Sequence, residues 1–166
     1  MTSEQKNLKN PLTWFAVGFG TGFSPFAPGT LGSLLAISIF YLLIIPFLRP
    51  FAYTFIIAAY VFLIISSFFF GLHIYRKTMG AEKDPKIFVW DEFVGMWLAC
   101  FPLVVFESFW PWIIFSFVLF RIFDIWKPLP ISYFDNLDSP YGVMMDDIIA
   151  GLFSALIITI AALIFY

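Results

Sequence analysis

Phe51–Leu72, FAYTFIIAAYVFLIISSFFFGL, runs for 22 residues without a charge. About 20 apolar residues suffice for a helix to cross the hydrocarbon core of a bilayer, so this stretch reads as a membrane span. The composition around it agrees. The 166-residue chain is 61% hydrophobic and 12% charged, with a mean hydropathy of +0.93. A soluble domain is nearer half apolar and a quarter charged. The reading is therefore a single membrane-embedded domain over 1–166, with no nucleic-acid partner expected. The opening MTSEQKNLKN is polar and lacks the apolar core and cleavage site of a signal peptide. Cys100 stands alone, which rules out an intrachain disulfide.

Working outward, Thr30–Phe47 is a slightly short span closed by Pro46 and Pro50, and Ile148–Tyr166 is a clean last one. Ile87–Phe106 is long enough only if Asp91 and Glu92 are included. Ser108–Phe120 must run on to Trp126, taking in Arg121 and Asp124. The expected fold is an all-α integral membrane bundle of about five transmembrane helices. Before them lies a Gly/Pro-rich segment, GFGTGFSPFAPGTLGS at Gly18–Ser33, in which a regular helix from Trp14 to Thr30 is not expected. Trp14–Val17 is read either as interfacial or as a re-entrant piece. Basic residues split eight to one between the two sides. Lys6, Lys9, Arg76, Lys77, Lys83, Lys86, Arg121 and Lys127 share the side of the N-terminus, and Arg49 is alone on the other. The positive-inside rule makes the basic side cytoplasmic.

The acids converge on that same side. Asp91 and Glu92 open the third span, Asp146 and Asp147 sit at the start of the last helix, and Asp124 lies near the end of the fourth. An acid at the centre of a membrane helix costs about 2.5–3.5 kcal/mol, while each large aliphatic returns roughly 0.3–0.6. Two central acids would cancel the apolar gain of the third span, so the pair should lie one to two turns in from the surface, facing the bundle or a wet cavity. Complementing helix N-terminal dipoles explains one acid per helix. It does not explain four acids on two helices plus a fifth at a C-terminal end. Gly95 lies beside Asp91 and Glu92 on the helix surface, and Gly151 repeats the spacing from Asp147; small residues there let another helix or a ligand approach. Arg121, Asp124 and Lys127 share a broad face at spacings of three. Five carboxylates with an Arg and a Lys suit a hard cation and a phosphate, and Mg²⁺ takes oxygen ligands and substrate phosphates. The loop at Gly18–Ser33 reads either as a plain turn or as a set of backbone N–H groups facing an anion, with Thr30 and Ser33 at a helix start. The lone His73 reads as structural, Asp84 as a solvated turn residue, and Cys100 as core.

Several phosphate chemistries are excluded. Cys100 lacks the Arg six positions on that cysteine phosphatases need, where Phe106 stands, no aspartyl-phosphate motif is present, and one His is too few for histidine-based lipid phosphatases. Metal-assisted hydrolysis remains. The blocks GFGTGFSPFAPGTLGS, VWDEFVGMW (Val89–Trp97), FRIFDIWKPLP (Phe120–Pro130) and MMDDIIAG (Met144–Gly151) together resemble the phosphatidylglycerophosphatase A family. The resemblance implies a Mg²⁺-dependent enzyme of the bacterial inner membrane that converts phosphatidylglycerophosphate to phosphatidylglycerol and inorganic phosphate. One departure is the SPYG run at Ser139–Gly142, where similar sequences have a glycine-rich segment. On this hypothesis Asp91, Glu92, Asp146 and Asp147 hold Mg²⁺ and water, and Asp124 is a further ligand or base. Arg121 and Lys127 hold phosphate oxygens, helped by Thr30 and Ser33. The rival is an ion-coupled transporter, since buried acids also mark ion pathways; five spans without an evident inverted repeat argue against it. An oligomer is left open.

Overall fold

The computed structural model describes residues 8–80, 85–105 and 110–165, and all the regular structure among them is helical. Helix α1 covers Pro11–Ala16, with Asn10 capping its first turn through a bond from the Leu12 N–H. A 3₁₀ segment, Gly18–Phe23, follows, broken internally by left-handed backbone at Phe19 and Gly20. Helix α2 spans Pro28–Leu48 and α3 spans Tyr53–Thr78. Next come α4 (Trp90–Ala99), α5 (Phe101–Val105), α6 (Trp110–Trp126), α7 (Ile131–Asp135) and α8 (Pro140–Phe165).

Three of these, α2, α3 and α8, are long and apolar enough to cross a membrane. The other two expected spans take different forms. The third arrives in two pieces because Pro102 lacks an N–H and crowds the preceding turn. The chain closes α4 at Cys100, whose N–H bonds back to Met96 and Trp97, and restarts as α5. The fourth is the 17-residue α6, running to Trp126 as expected; Glu107 and Ser108 lie outside the described residues, as does Asp84. The last span begins at Pro140, two turns earlier than the hydropathy edge at Ile148. Ser139 caps it, its Oγ accepting from the Gly142 N–H at 3.0 Å, and Pro140 suits the first helical position. SPYG is thus a helix start, and Asp146 and Asp147 sit well inside α8 rather than in its first turn.

Helix α4 is the pillar of the bundle. Its side chains are buried nearly all round, the signature of an interior helix. Trp90 and Phe93 stack on it at 5.4 Å between ring centroids. Its polar groups are tied to the neighbours: Trp97 Nε1 donates to the Ala36 carbonyl of α2 at 2.9 Å, and Trp90 Nε1 to Ser67 of α3 at 3.1 Å. Tyr60 of α3 donates its hydroxyl to the Trp97 carbonyl at 2.7 Å. No regular helix runs from Trp14 to Thr30, as expected; the chain breaks between α1 and α2 and closes over the start of α4, where the Val89 N–H bonds to the Ala16 carbonyl at 3.0 Å. Cys100 is wholly buried in the core and His73 is exposed on α3.

Candidate active site

Helices α4 and α8 touch backbone to backbone. A Cβ placed on Gly95 would lie 2.6 Å from the Asp147 carbonyl oxygen, and one placed on Gly151 would strike the Gly95 carbonyl. Ordinary side chains hold helix axes 8–10 Å apart; the two glycines remove that spacer. The crossing falls one turn beyond Asp91 and Glu92 on α4 and one turn beyond Asp147 on α8. It therefore forces the acids of the two helices together. Asp91, Glu92 and Asp147 each offer an oxygen within 4.8 Å of the others'.

Asp91 and Asp147 are buried and Glu92 half-buried. Asp91 lies within hydrogen-bonding reach of Glu92, and Asp124 within reach of Asp147. Carboxylates in such contact must share protons or surround a cation, and stripping one charge of water costs several kcal/mol. Glu92 Oε2 is buried with no hydrogen-bond partner among the described residues. An acceptor-only atom in that position asks for a cation. The donor set is all oxygen, the kind Mg²⁺ takes, so these residues fit a divalent ion.

The cations flank this cluster. Arg121, on the last turns of α6, pairs with Asp124 and donates from Nη1 to Ser33 Oγ at 3.3 Å. Its Nε is buried without a partner among the described residues. Ser33 in turn donates to the Gly29 carbonyl at 2.9 Å. Gly29 is a close-approach position: a Cβ there would collide with Glu92 Oε1 and stand 3.4 Å from Arg121 Nη1. The first turn of α2, with half-buried Thr30, is thereby laid against the carboxylates. Lys127 follows α6 directly in left-handed backbone, at a φ of 47°, uncommon outside glycine. Its Nζ reaches Asp146 Oδ2 at 2.8 Å and also pairs with Asp135. Burial alone would lower the Lys127 pKa, but Asp146 and Asp135 outweigh it and hold the amine above its ordinary range, so it stays cationic.

The structure thus draws together Asp91, Glu92, Asp124 and Asp147, with Arg121, Ser33 and Thr30 on one flank and Lys127 on the other. Asp146 stands apart from its neighbour. Its Oδ1 accepts from the Asp147 N–H at 3.0 Å and its Oδ2 from Lys127. Adjacent residues of a helix diverge by about 100°, so only one of the pair can face α4. Sequence reasoning missed Asp135 and the role of Gly29. No spacing rule links Asp135 to Lys127 across Pro128 and Pro130. A signal for Gly29 did exist in Pro28-Gly29-Thr30 at a helix start.

A family model described as Phosphatidylglycerophosphatase A matches residues 14–162. Phosphatidylglycerophosphatase A of Escherichia coli is 44% identical over 149 residues, 89% of this chain and 81% of the relative. The protein of that name from Haemophilus influenzae is 38% identical over 160 residues, 92% of this chain and 89% of the relative. A Bacteroides thetaiotaomicron protein, provisionally named a phosphatidylinositol-3-phosphatase, is 41% identical over 145 residues, 87% of this chain and 89% of its own length. No solved structure matches the chain.

Proposed function

The chain belongs to the phosphatidylglycerophosphatase A family and is a phosphatase; from that premise we propose that it hydrolyses the terminal phosphomonoester of phosphatidylglycerophosphate. The products are phosphatidylglycerol and inorganic phosphate. The reading rests above all on the convergence of Asp91, Glu92 and Asp147 at the α4–α8 crossing, next to the unpartnered Nε of Arg121. Membership of a phosphatase family does not favour the ion-coupled transporter.

Asp91, Glu92 and Asp147 would hold Mg²⁺, with Asp146, bonded to Lys127, as a further oxygen donor beside them. When bound, the ion supplies charge neutralisation at the phosphoryl oxygens and a more acidic water. The rest falls to the chain. Arg121 presents Nε to a phosphoryl oxygen, and its fork is kept in place by Asp124 and Ser33. The first turn of α2 adds backbone N–H groups and the Thr30 hydroxyl, since a helix N-terminus favours an anion. Lys127 adds long-range positive charge. Asp124, outside the three-oxygen cluster but touching Asp147, takes a proton from the attacking water. The water oxygen bonds to phosphorus, the bond from phosphorus to the glycerol oxygen breaks, and that oxygen receives the proton Asp124 took from the water, which restores the carboxylate. Placing a carboxylate at the water in this way is general-base catalysis, worth typically 10²–10⁴-fold.

In this reading the α4–α5 pair and α6 complete a bundle of five crossings around the site. The eight-to-one distribution of basic residues supports a cytoplasmic site in the bacterial inner membrane. The acyl chains stay in lipid while the headgroup enters among α2, α4, α6 and α8. The test is phosphate release from phosphatidylglycerophosphate by the purified protein in detergent, with Mg²⁺ and then with EDTA. Release that survives EDTA removes the metal from the scheme, and no release on this substrate removes the substrate. Phosphatidylinositol 3-phosphate assayed in parallel separates the two substrate names carried by the relatives.

A further inference from the structure

We infer that the end of the bundle opposite the carboxylates binds one anionic phospholipid of the far leaflet, its headgroup beside Arg49 and an acyl chain in the groove between α2 and α3. The inference rests on the membrane reading of the helices and not on the catalytic one.

Two hollows meet at that end. A cavity of about 290 Å³ lies among the end of α2, the start of α3, α5 and α6, with Tyr41, Arg49 and Tyr53 in its wall beside Leu48 and Ile113. A shallower groove of about 630 Å³ is formed by Phe47, Leu48, Ala59, Phe62, Leu63 and Ser66. Leu48 borders both. The combined surface is cationic and phenolic at one end and apolar along the remainder, which is the polarity of a phospholipid. Ser66 does not interrupt the apolar part, because its hydroxyl donates back to the Leu63 carbonyl at 3.1 Å. From Tyr53 to Ser66, thirteen residues on, α3 rises about 20 Å, enough to follow a chain through the ~15 Å of one leaflet's hydrocarbon.

The groove has a cause in the sequence. Pro46 cannot donate a hydrogen bond, and in a regular helix its ring would meet the Leu42 carbonyl. Helix α2 answers with a π turn at Phe40–Ile44, in which the Ile45 N–H reaches back to the Phe40 carbonyl. Such single-turn bulges recur at functional sites. This one shifts the register so that Tyr41 and Ile45 face the cavity while Leu43 and Phe47 face the groove.

Charge decides the occupant. Arg121 and Lys127 at the catalytic end are each paired with carboxylates, whereas among the described residues no acid pairs with Arg49. It is exposed at the helix end, and it is the lone cation on its side of the chain. A phosphodiester answers it with charge-assisted hydrogen bonds, and tyrosines belong at the headgroup level. The described residues of this end carry no carboxylate, so a second copy laid on the groove would cover its apolar wall and bring Arg49 no anion from among them.

The test uses the full chain in nanodiscs of phosphatidylglycerol and phosphatidylethanolamine, with retained lipids counted by native mass spectrometry. Contacts at the catalytic end are common to wild type and variants, so differences report the far end. Arg49→Gln is expected to retain roughly fivefold less phosphatidylglycerol, the loss of one charge-assisted contact. Ala59→Phe, which fills the groove, is expected to do the same, and both should release phosphate in detergent like wild type. Equal retention by wild type and Arg49→Gln overturns the proposal, as does equal retention of the two lipids by wild type. A lipid-free dimer that Ala59→Phe breaks overturns it in favour of a subunit contact. If wild type releases no phosphate yet shows the Arg49-dependent lipid, the catalytic reading fails and this one stands.

Discussion

Adding one methyl group at the α4–α8 crossing should weaken the site without touching a carboxylate. In Gly95→Ala the new Cβ would start 2.6 Å from the Asp147 carbonyl oxygen and 2.7 Å from the Phe120 ring, where ordinary contact begins at 3.4 Å. The shortfall of about 0.8 Å must be met by moving the helices apart, because a carbonyl fixed in a helix cannot yield as a side chain can. Asp91 and Glu92 ride on α4 and Asp147 on α8, so their oxygens separate by a similar distance. A misplacement of about 1 Å in a catalytic constellation costs on the order of 10²-fold. We therefore expect turnover to fall roughly 30- to 100-fold, with overpacking costing about 1–3 kcal/mol of stability. Phosphate release reports the first, and thermal unfolding in detergent shows that the variant is folded. Mn²⁺ binding followed by electron paramagnetic resonance should weaken in step, since it reads the oxygen cluster independently of turnover. A folded Gly95→Ala protein with wild-type turnover and Mn²⁺ affinity would show that the glycine contact does not set the spacing of the acids.

Three other outcomes are expected. Asp147→Asn removes one charge from the three-oxygen cluster and should reduce phosphate release by at least ~10³-fold while sharply weakening Mn²⁺ binding; a loss below tenfold would refute its place in the cluster. Arg121→Lys keeps a cation near Asp124 but loses Nε and the planar fork, so the apparent KM for phosphatidylglycerophosphate should rise about tenfold or more; an unchanged KM would mean that Arg121 serves only its ion pair. Asp135→Asn leaves Lys127 its bond to Asp146 at 2.8 Å and should cost no more than about fivefold in turnover, whereas Lys127→Met strips Asp146 of its partner and should cost well over tenfold; equal losses for the two would refute the ordering.

Much of this was legible in the chain itself. Hydropathy located α2, α3 and α8 because a charge-free run of some 20 residues has few other destinations, and the Gly/Pro content of Gly18–Ser33 announced an irregular N-terminal segment. The position of the acids at one end of the bundle also follows from sequence, since consecutive spans alternate direction. Helix edges were less legible. Hydropathy stops where polar residues begin, so it placed the start of α8 at Ile148, whereas Ser139 and Pro140 start it at a cap. The same blindness hid the division of the third span at Cys100, which Pro102 imposes through a missing N–H.

What the sequence by itself determined is the inventory: apolar helices, five carboxylates at one end, an Arg and a Lys among them, and glycines one turn from each acidic pair. Only the tertiary structure decided which oxygens meet. Asp146 and Asp147 are neighbours in the chain, yet the turn of the helix sends one to Lys127 and the other to Asp91 and Glu92. The contact of Gly95 with Gly151 selects that rotation, and Asp135 and Gly29 join the site from segments whose separation in sequence carries no sign of it. Composition records what a chain holds, whereas the direction of a side chain depends on how each helix is turned against its neighbours, and close packing of backbone on backbone settles that.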